Sequence, residues 1–163
     1  MPATVYEAQR ILPYSAADLC RLVGDVRLYP QFIPWIRSLR VLREKALGPG
    51  GAWEGVAEAV VGWKAIVERF ATKVRSEPDK GEVDVALVDG PFKCLNNRWR
   101  FQDRPDGGAD VRFFIAYEFR NPILNALVKA NMERVTDKLM RAFEAEAHRR
   151  FGAPAQRLAQ PAE

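Results

Sequence analysis

The chain of 163 residues contains one histidine, His148, and two cysteines, Cys20 and Cys94. That scarcity excludes several chemistries at once. A single histidine and two isolated thiols give no metal-ligand spacing, and no Ser-His-Asp or Cys-His arrangement can be built without His148. His148 stands between Ala147 and Arg149-Arg150 near the end of a helical pattern, so its ordinary role is that of a solvated residue beside a helix C-terminus. The cysteines lie far apart among apolar neighbours and read as buried reduced thiols; a disulfide is allowed but not needed. There is no Gly-rich phosphate loop, since Gly48-Pro49-Gly50-Gly51 has only the composition of a turn. No run of about 18 apolar residues exists that would cross a membrane. The first residues, Met1 to Glu7, carry neither a basic stretch nor an apolar one, so the expectation is no signal peptide and a cytoplasmic location.

What is present is a globular composition, 48% hydrophobic and 28% charged, which fits a single domain over residues 1–151. The formal net charge of +4 gives a mild preference for anionic partners. The densest signal is Asp25-Val26-Arg27-Leu28-Tyr29-Pro30-Gln31-Phe32-Ile33-Pro34-Trp35. Two prolines four apart cannot share a helix interior, so a short helix breaks here and delivers Tyr29, Phe32 and Trp35 into something apolar. The elbow either caps a core or forms one rim of a pocket.

Upstream, Thr4–Leu12 reads as a strand, and Ser15 caps a helix that ends near Gly24, with Asp18 in capping-box position. Trp35 to Glu44 reads as a second strand. From Ala52 to Arg120 the chain alternates with period two between turn signals, which predicts an antiparallel meander. Gly62 is expected to turn the chain between strands. Asn121 and Pro122 then open a helix that no Gly or Pro interrupts before Gly152, roughly 40 Å long. Leu124, Leu127, Val128, Val135, Leu139 and Phe143 form its apolar face. Residues 152–163 are expected to be a disordered tail.

The fold class expected is α+β: a curved antiparallel sheet of about seven strands that buries one face under the terminal helix. Gly55, Ala57 and Ala59 make one strand's inner face small. Either Trp53, Phe70, Trp99, Phe113 and Tyr117 fill the space as core, or the helix stands off and the space takes a ligand. Glu54, Glu58 and Glu68 most simply face water, although Glu68 turns inward if its strand runs in the Phe70, Thr72, Val74 register. Two basic stripes stand out. Arg69, Lys73 and Arg75 share a strand face; Lys129, Arg134, Lys138 and Arg141 crowd one side of the long helix. Each is a solvated face or a contact for RNA or an anionic membrane. Asp137 and Glu146, four residues before Arg141 and Arg150, predict ordinary pairing for part of the second.

Val23 to Trp35, together with Asp89-Gly90-Pro91-Phe92 and the following Leu95, Asn97, Trp99 and Phe101, resembles the signature of the coenzyme-Q-binding START-like proteins. Phe119 before Asn121 and the helix end Ala142-Phe143-Glu144 are similar too, and the resemblance covers about residues 3–151. Ile36 departs from it, since these proteins often carry Cys after the Trp. The resemblance implies a helix-grip, START-like or Bet v 1-like fold with an apolar cavity. It implies ubiquinone or a related isoprenoid quinone as ligand, in support of respiratory electron transfer. A cyclase-like enzyme on the same fold is disfavoured because the interior-facing set holds no positioned acid–base pair, so no enzymatic activity and no catalytic cofactor are expected. The alternative activity in the family is that of a ribosome-association toxin acting on the large subunit. Expected lining residues are Tyr29, Phe32, Trp35, Trp53, Ala57, Ala59, Phe70, Phe92, Leu95, Asn97, Trp99, Phe113, Tyr117, Leu127, Val135 and Leu139, with Asn97 and Tyr117 nearest the quinone head. Arg69, Lys73, Arg134, Lys138 and Arg141 are the expected contacts to a membrane or ribosome, the protein being cytoplasmic or peripheral at the inner membrane; DNA is not an expected partner.

Overall fold

A computed structural model describes residues 3–63 and 65–152. Its elements are β1 (Thr4–Leu12), α1 (Ala16–Gly24), a 3-10 turn (Val26–Leu28), α2 (Tyr29–Phe32), β2 (Ile36–Ala46), β3 (Trp53–Trp63), β4 (Ile66–Glu77), β5 (Glu82–Asp89), β6 (Phe92–Asp103), β7 (Ala109–Phe119) and α3 (Pro122–Phe151). The strands form one antiparallel sheet in the order β1-β7-β6-β5-β4-β3-β2. Six of the seven follow one another as a meander, and β1 closes the far side by pairing with β7 from Thr4↔Tyr117 to Leu12↔Ala109. The helix-grip expectation therefore holds: a long C-terminal helix lies along one face of a seven-stranded curved sheet.

The caps are those the residue types prescribe. Ser15 Oγ accepts from the Asp18 amide at 3.1 Å. Asn121 Oδ1 accepts from the amides of Ile123 and Leu124, with Pro122 in the first turn. Gly152 ends α3 at φ 90°, where only glycine is unstrained, and His148, Arg149 and Arg150 face the negative end of its dipole. Two further bonds moor the helix start to the sheet. Phe119 N–H donates to Asn125 Oδ1 at 3.0 Å, and Arg120 N–H donates to the Pro91 carbonyl at 2.9 Å.

Two strand boundaries differ from the sequence reading. Gly62 does not turn the chain; it pairs with Val67 inside the β3–β4 ladder, which continues to Trp63↔Ile66. The open side of Gly62 is covered by the exposed Arg37 guanidinium, the nearest group a Cβ there would meet. Trp35 precedes β2, which runs on to Ala46 rather than ending at Glu44. The expected tail falls largely on residues 153–163, outside the described residues.

α3 lies nearest β1, β7, α1 and α2. Its buried face is Leu124, Thr136, Met140, Phe143, Glu146 and Ala147. Leu127, Val128, Val135 and Leu139 are only half-buried.

Candidate functional site

Alternation places Leu95, Asn97, Trp99 and Phe101 of β6 opposite Tyr117, Ile115, Phe113 and Val111 of β7, all on the face toward α3. Gly55, Ala57 and Ala59 lie on the same side of β3, and Phe70, Thr72 and Val74 on that side of β4. Glu68 belongs to this register as well and is half-buried.

The expected lining residues divide into three groups. Trp99 and Phe113 join a large cluster under α1 and the C-terminal half of α3, with Tyr29, Phe32, Trp35 and Leu139 packed against it. Tyr29 and Phe32 each meet Phe143 edge-on with centroids 5.4 Å apart, and Trp99 meets the same ring at 5.4 Å and Phe113 at 4.9 Å. Tyr29 donates its hydroxyl to the Val23 carbonyl, and burial pushes its phenol pKa up. Ala57 packs with Val26 and Val74, with Trp53 alongside. Phe92, Leu95 and Tyr117 form the third group, bordered by Phe70, Leu87, Ile115, Phe119, Val128 and Met132. Leu127 and Val135 remain half-buried on α3, and Ala59 is buried on β3.

The two polar residues expected near a ligand head behave differently. Asn97 is satisfied within the protein: its Nδ2 donates to the Phe114 carbonyl and its Oδ1 accepts from Trp99 Nε1, both at 2.9 Å. Its work is to hold the indole. Tyr117 is 1% exposed and its hydroxyl has no hydrogen-bond partner among the described residues. Burial raises its pKa, so the group remains a protonated donor at neutral pH. An unpaired buried hydroxyl costs about 1–3 kcal/mol. Around it the packing is incomplete: Phe70, Leu87 and Ile115 point inward yet are only half-buried.

Sequence reasoning missed Met132 and Thr136. Thr136 is 1% exposed on the sheet side of α3, and its hydroxyl meets the Met132 sulfur at 3.5 Å, a weak acceptor. Their spacing from Val128, four and eight residues, carried the signal.

Two open hollows, ≈ 570 and ≈ 530 Å³, lie on the outer face of the sheet to either side of Phe114 and Arg98, whose guanidinium sits 4.3 Å over the Phe114 ring. Arg, Glu and Asp mix along their walls, and neither reaches the Tyr117 region. The basic stripe of β4 is paired with carboxylates yet stays exposed, mostly across the ladder, and Arg75 also meets Glu77 of its own strand at 3.1 Å. Arg69 lies 3.6 Å from Glu58, and Lys73 and Arg75 each lie 3.6 Å from Glu54. On α3, Arg141 is held by Asp137 at 3.0 Å, whereas Lys129, Arg134 and Lys138 are exposed with no carboxylate partner among the described residues. No described helix is long and apolar enough to cross a membrane, and no group of three or more possible metal ligands occurs among the described residues. Both cysteines are free; Cys20 is buried, which pushes its thiol pKa to about 11, while Cys94 is half-buried.

The family model described as polyketide cyclase/dehydrase and lipid transport matches residues 12–144. The chain belongs to this family. The ribosome association toxin RatA of Rickettsia prowazekii is 30% identical over 145 residues, 87% of this chain and 94% of that protein. The mitochondrial coenzyme Q-binding protein COQ10 homolog B of Xenopus laevis is 29% identical over 153 residues, 90% of this chain and 59% of that one. The solution structure of an 18 kDa protein from Caulobacter crescentus is 40% identical and superposes with a TM-score of 0.77, covering 92% of this chain and 99% of that chain. A START-superfamily protein, an aromatase/cyclase and a plant major latex-like protein, at 14–18% identity, share the fold alone. Relatives thus carry names from two functional classes, and the fold is also used by enzymes.

Proposed function

We propose that this protein binds an isoprenoid quinone, or a lipid of like chemistry, between α3 and the inner face of the sheet, and performs no reaction on it. One observation carries the reading: the Tyr117 hydroxyl, 1% exposed and unpaired among half-buried apolar side chains. A quinone carbonyl is an acceptor without a proton, the complement such a donor lacks. The family's lipid-transport description and the coenzyme Q-binding relative support the same ligand class. Residues 1–151 form the binding unit, with Phe70, Phe92, Leu95, Tyr117, Leu127 and Val135 nearest the ligand and Tyr29, Phe32, Trp35, Trp53, Trp99, Phe113 and Leu139 shaping the wall.

Burying a polyprenyl tail yields on the order of 25 cal/mol per Å², but a bilayer offers the tail nearly the same gain. Selection must therefore come from shape and from the head group. Mass spectrometry of an organic extract of the purified protein tests the reading; a co-purified quinone supports it. Ala59→Phe should block uptake in a domain that stays folded, because overpacking costs about 1–3 kcal/mol only where the space is already full. Full quinone uptake by a folded Ala59→Phe protein would place the ligand elsewhere.

A second reading, association with the large ribosomal subunit, is favoured by the unpaired Lys129, Arg134 and Lys138 along α3 and by the name of the Rickettsia prowazekii relative. Charge reversal at Arg134 and Lys138 should then abolish co-sedimentation with that subunit and leave quinone uptake unchanged. Co-sedimentation that ignores both the reversal and added salt would remove this reading.

A further inference from the structure

We propose that one end of the sheet is a docking surface for an anionic lipid bilayer. Six large apolar residues are substantially exposed among the described residues: Val5, Ile11, Leu42, Val67, Val88 and Ile123. Strand direction gathers four of them at one end. β1 begins at Thr4, beside Val5; β3 turns into β4 just before Val67; β5 turns into β6 just after Val88; and β7 hands over to α3 just before Ile123. Their exposures are 56%, 51%, 54% and 79%. Half-buried Phe70 and Phe119 lie behind these tips. A Cβ at Gly90 would lie 2.4 Å from Phe70 Cβ, so the β5–β6 turn rests against the β4 backbone at Phe70.

The charges at this end suit an anionic surface. Arg120 is exposed with no carboxylate partner among the described residues, and neither has Lys129, two turns into α3. Arg69 and Lys93 reach Glu58 and Glu118 at 3.6 and 3.4 Å but keep side chains 68% and 57% exposed. The opposing carboxylates without an ion pair among the described residues include Glu7, exposed two residues along β1 from Val5, Asp89, exposed in the β5–β6 turn, and Glu68, half-buried on the inner face. Four aliphatic tips on separate elements, without a packed aromatic anchor, suit a fluid interface that accepts separated side chains better than a protein surface that must match them in shape. Each nearby cation adds attraction to anionic lipid. The end also adjoins the lipid site: Tyr117 pairs with Thr4 on β1 and stands three residues before Arg120. The reason to dock rests on the lipid-binding reading above, but the docking is measured separately.

The test is sedimentation of the full chain with phosphatidylcholine vesicles, with and without phosphatidylglycerol. Wild type should bind the anionic vesicles, and Val88→Asp with Ile123→Asp should weaken binding at least about tenfold. Arg120→Glu should weaken it about tenfold on anionic vesicles alone. Ile11→Asp is the control. Ile11 is 60% exposed, more than Val67 or Val88, but lies at the opposite end of β1, about 20 Å away at 3.4 Å per residue. Its substitution should change nothing. The proposal is overturned if wild type ignores anionic vesicles, if the Val88/Ile123 double variant binds as wild type, or if Ile11→Asp loses as much. A concentration-dependent dimer that Ile123→Asp dissolves would also overturn it, the occupant then being a second copy. Uptake of decylubiquinone from solution, measured on each variant, separates the two ideas. Retained uptake with lost sedimentation supports docking at this end. Absent uptake in a wild type that sediments counts against the quinone reading alone.

Discussion

Of the three clusters on the inner face of the sheet, the two under α3 meet at Ile115. Under the C-terminal half of α3, five aromatic rings interlock around Phe143 and Trp99, and the polar atoms among them are spoken for: Asn97 serves Trp99, and Tyr29 serves the Val23 carbonyl. Under the N-terminal half, Phe70, Leu87 and Ile115 stay half-buried around Tyr117, whose hydroxyl serves nothing. The same strands supply both halves. One half has its polar side chains paired and the other holds a buried hydroxyl with no partner among the described residues, so under the proposed function stability and binding are separable along one helix.

The largest effect expected is in the filled half. Phe143→Ala removes the ring on which Tyr29, Phe32 and Trp99 converge and should cost about 3–5 kcal/mol in denaturant unfolding, while folded molecules still take up quinone. Equal loss of uptake and stability would erase the division. Asn97→Ala leaves the Trp99 indole N–H without its partner and should cost about 1–3 kcal/mol. Indole fluorescence of the folded variant should shift with it; an unmoved spectrum would mean the indole needs no anchor.

A smaller effect depends on pH. Glu146, buried at the end of α3, accepts from Arg149 at 2.9 and 2.6 Å and from Arg150 at 2.7 Å, and Arg150 reaches on to Asp25 at 3.4 Å. The Arg149 bonds first, then Arg150, hold its carboxyl pKa down at about 2 against an ordinary 4.5. A carboxyl with a depressed folded pKa stabilises the fold fully above its unfolded value. That contribution is lost as pH falls from about 4.5 toward about 2. Unfolding free energy against pH should therefore lose slope across this window in Glu146→Gln. Parallel curves for the two proteins would show that the bonds do not form.

The smallest stability change, of opposite sign, is expected at Tyr117. Tyr117→Phe removes an unpaired hydroxyl, so the free protein should be unchanged or up to about 1 kcal/mol more stable. Quinone affinity should fall about tenfold, the worth of one hydrogen bond. A clear loss of stability would mean that the hydroxyl already has a partner and that the loose half is core after all.

Much of this architecture was legible in the chain alone. Period-two alternation assigned Gly55, Ala57 and Ala59 to one face and Glu54 and Glu58 to the other, because a pleated strand gives each side chain only two directions. Ser15, Asn121, Pro122 and Gly152 announced the helix ends through the hydrogen bonds and dihedral angles that only such residues supply. Gly62 misled because glycine marks turns but also occurs inside strands, and only the ladder to Val67 distinguishes them. The stripe of Arg69, Lys73 and Arg75 looked free because Glu54 and Glu58 belong to another strand, and register decides who stands opposite whom. For the same reason Asn97 and Tyr117, two inward polar residues twenty positions apart, were indistinguishable in sequence. The first found a carbonyl and an indole within reach and the second found hydrocarbon. Local pattern determined which way each side chain points; the long-range placement of α3 and of the neighbouring strands decided what it meets there.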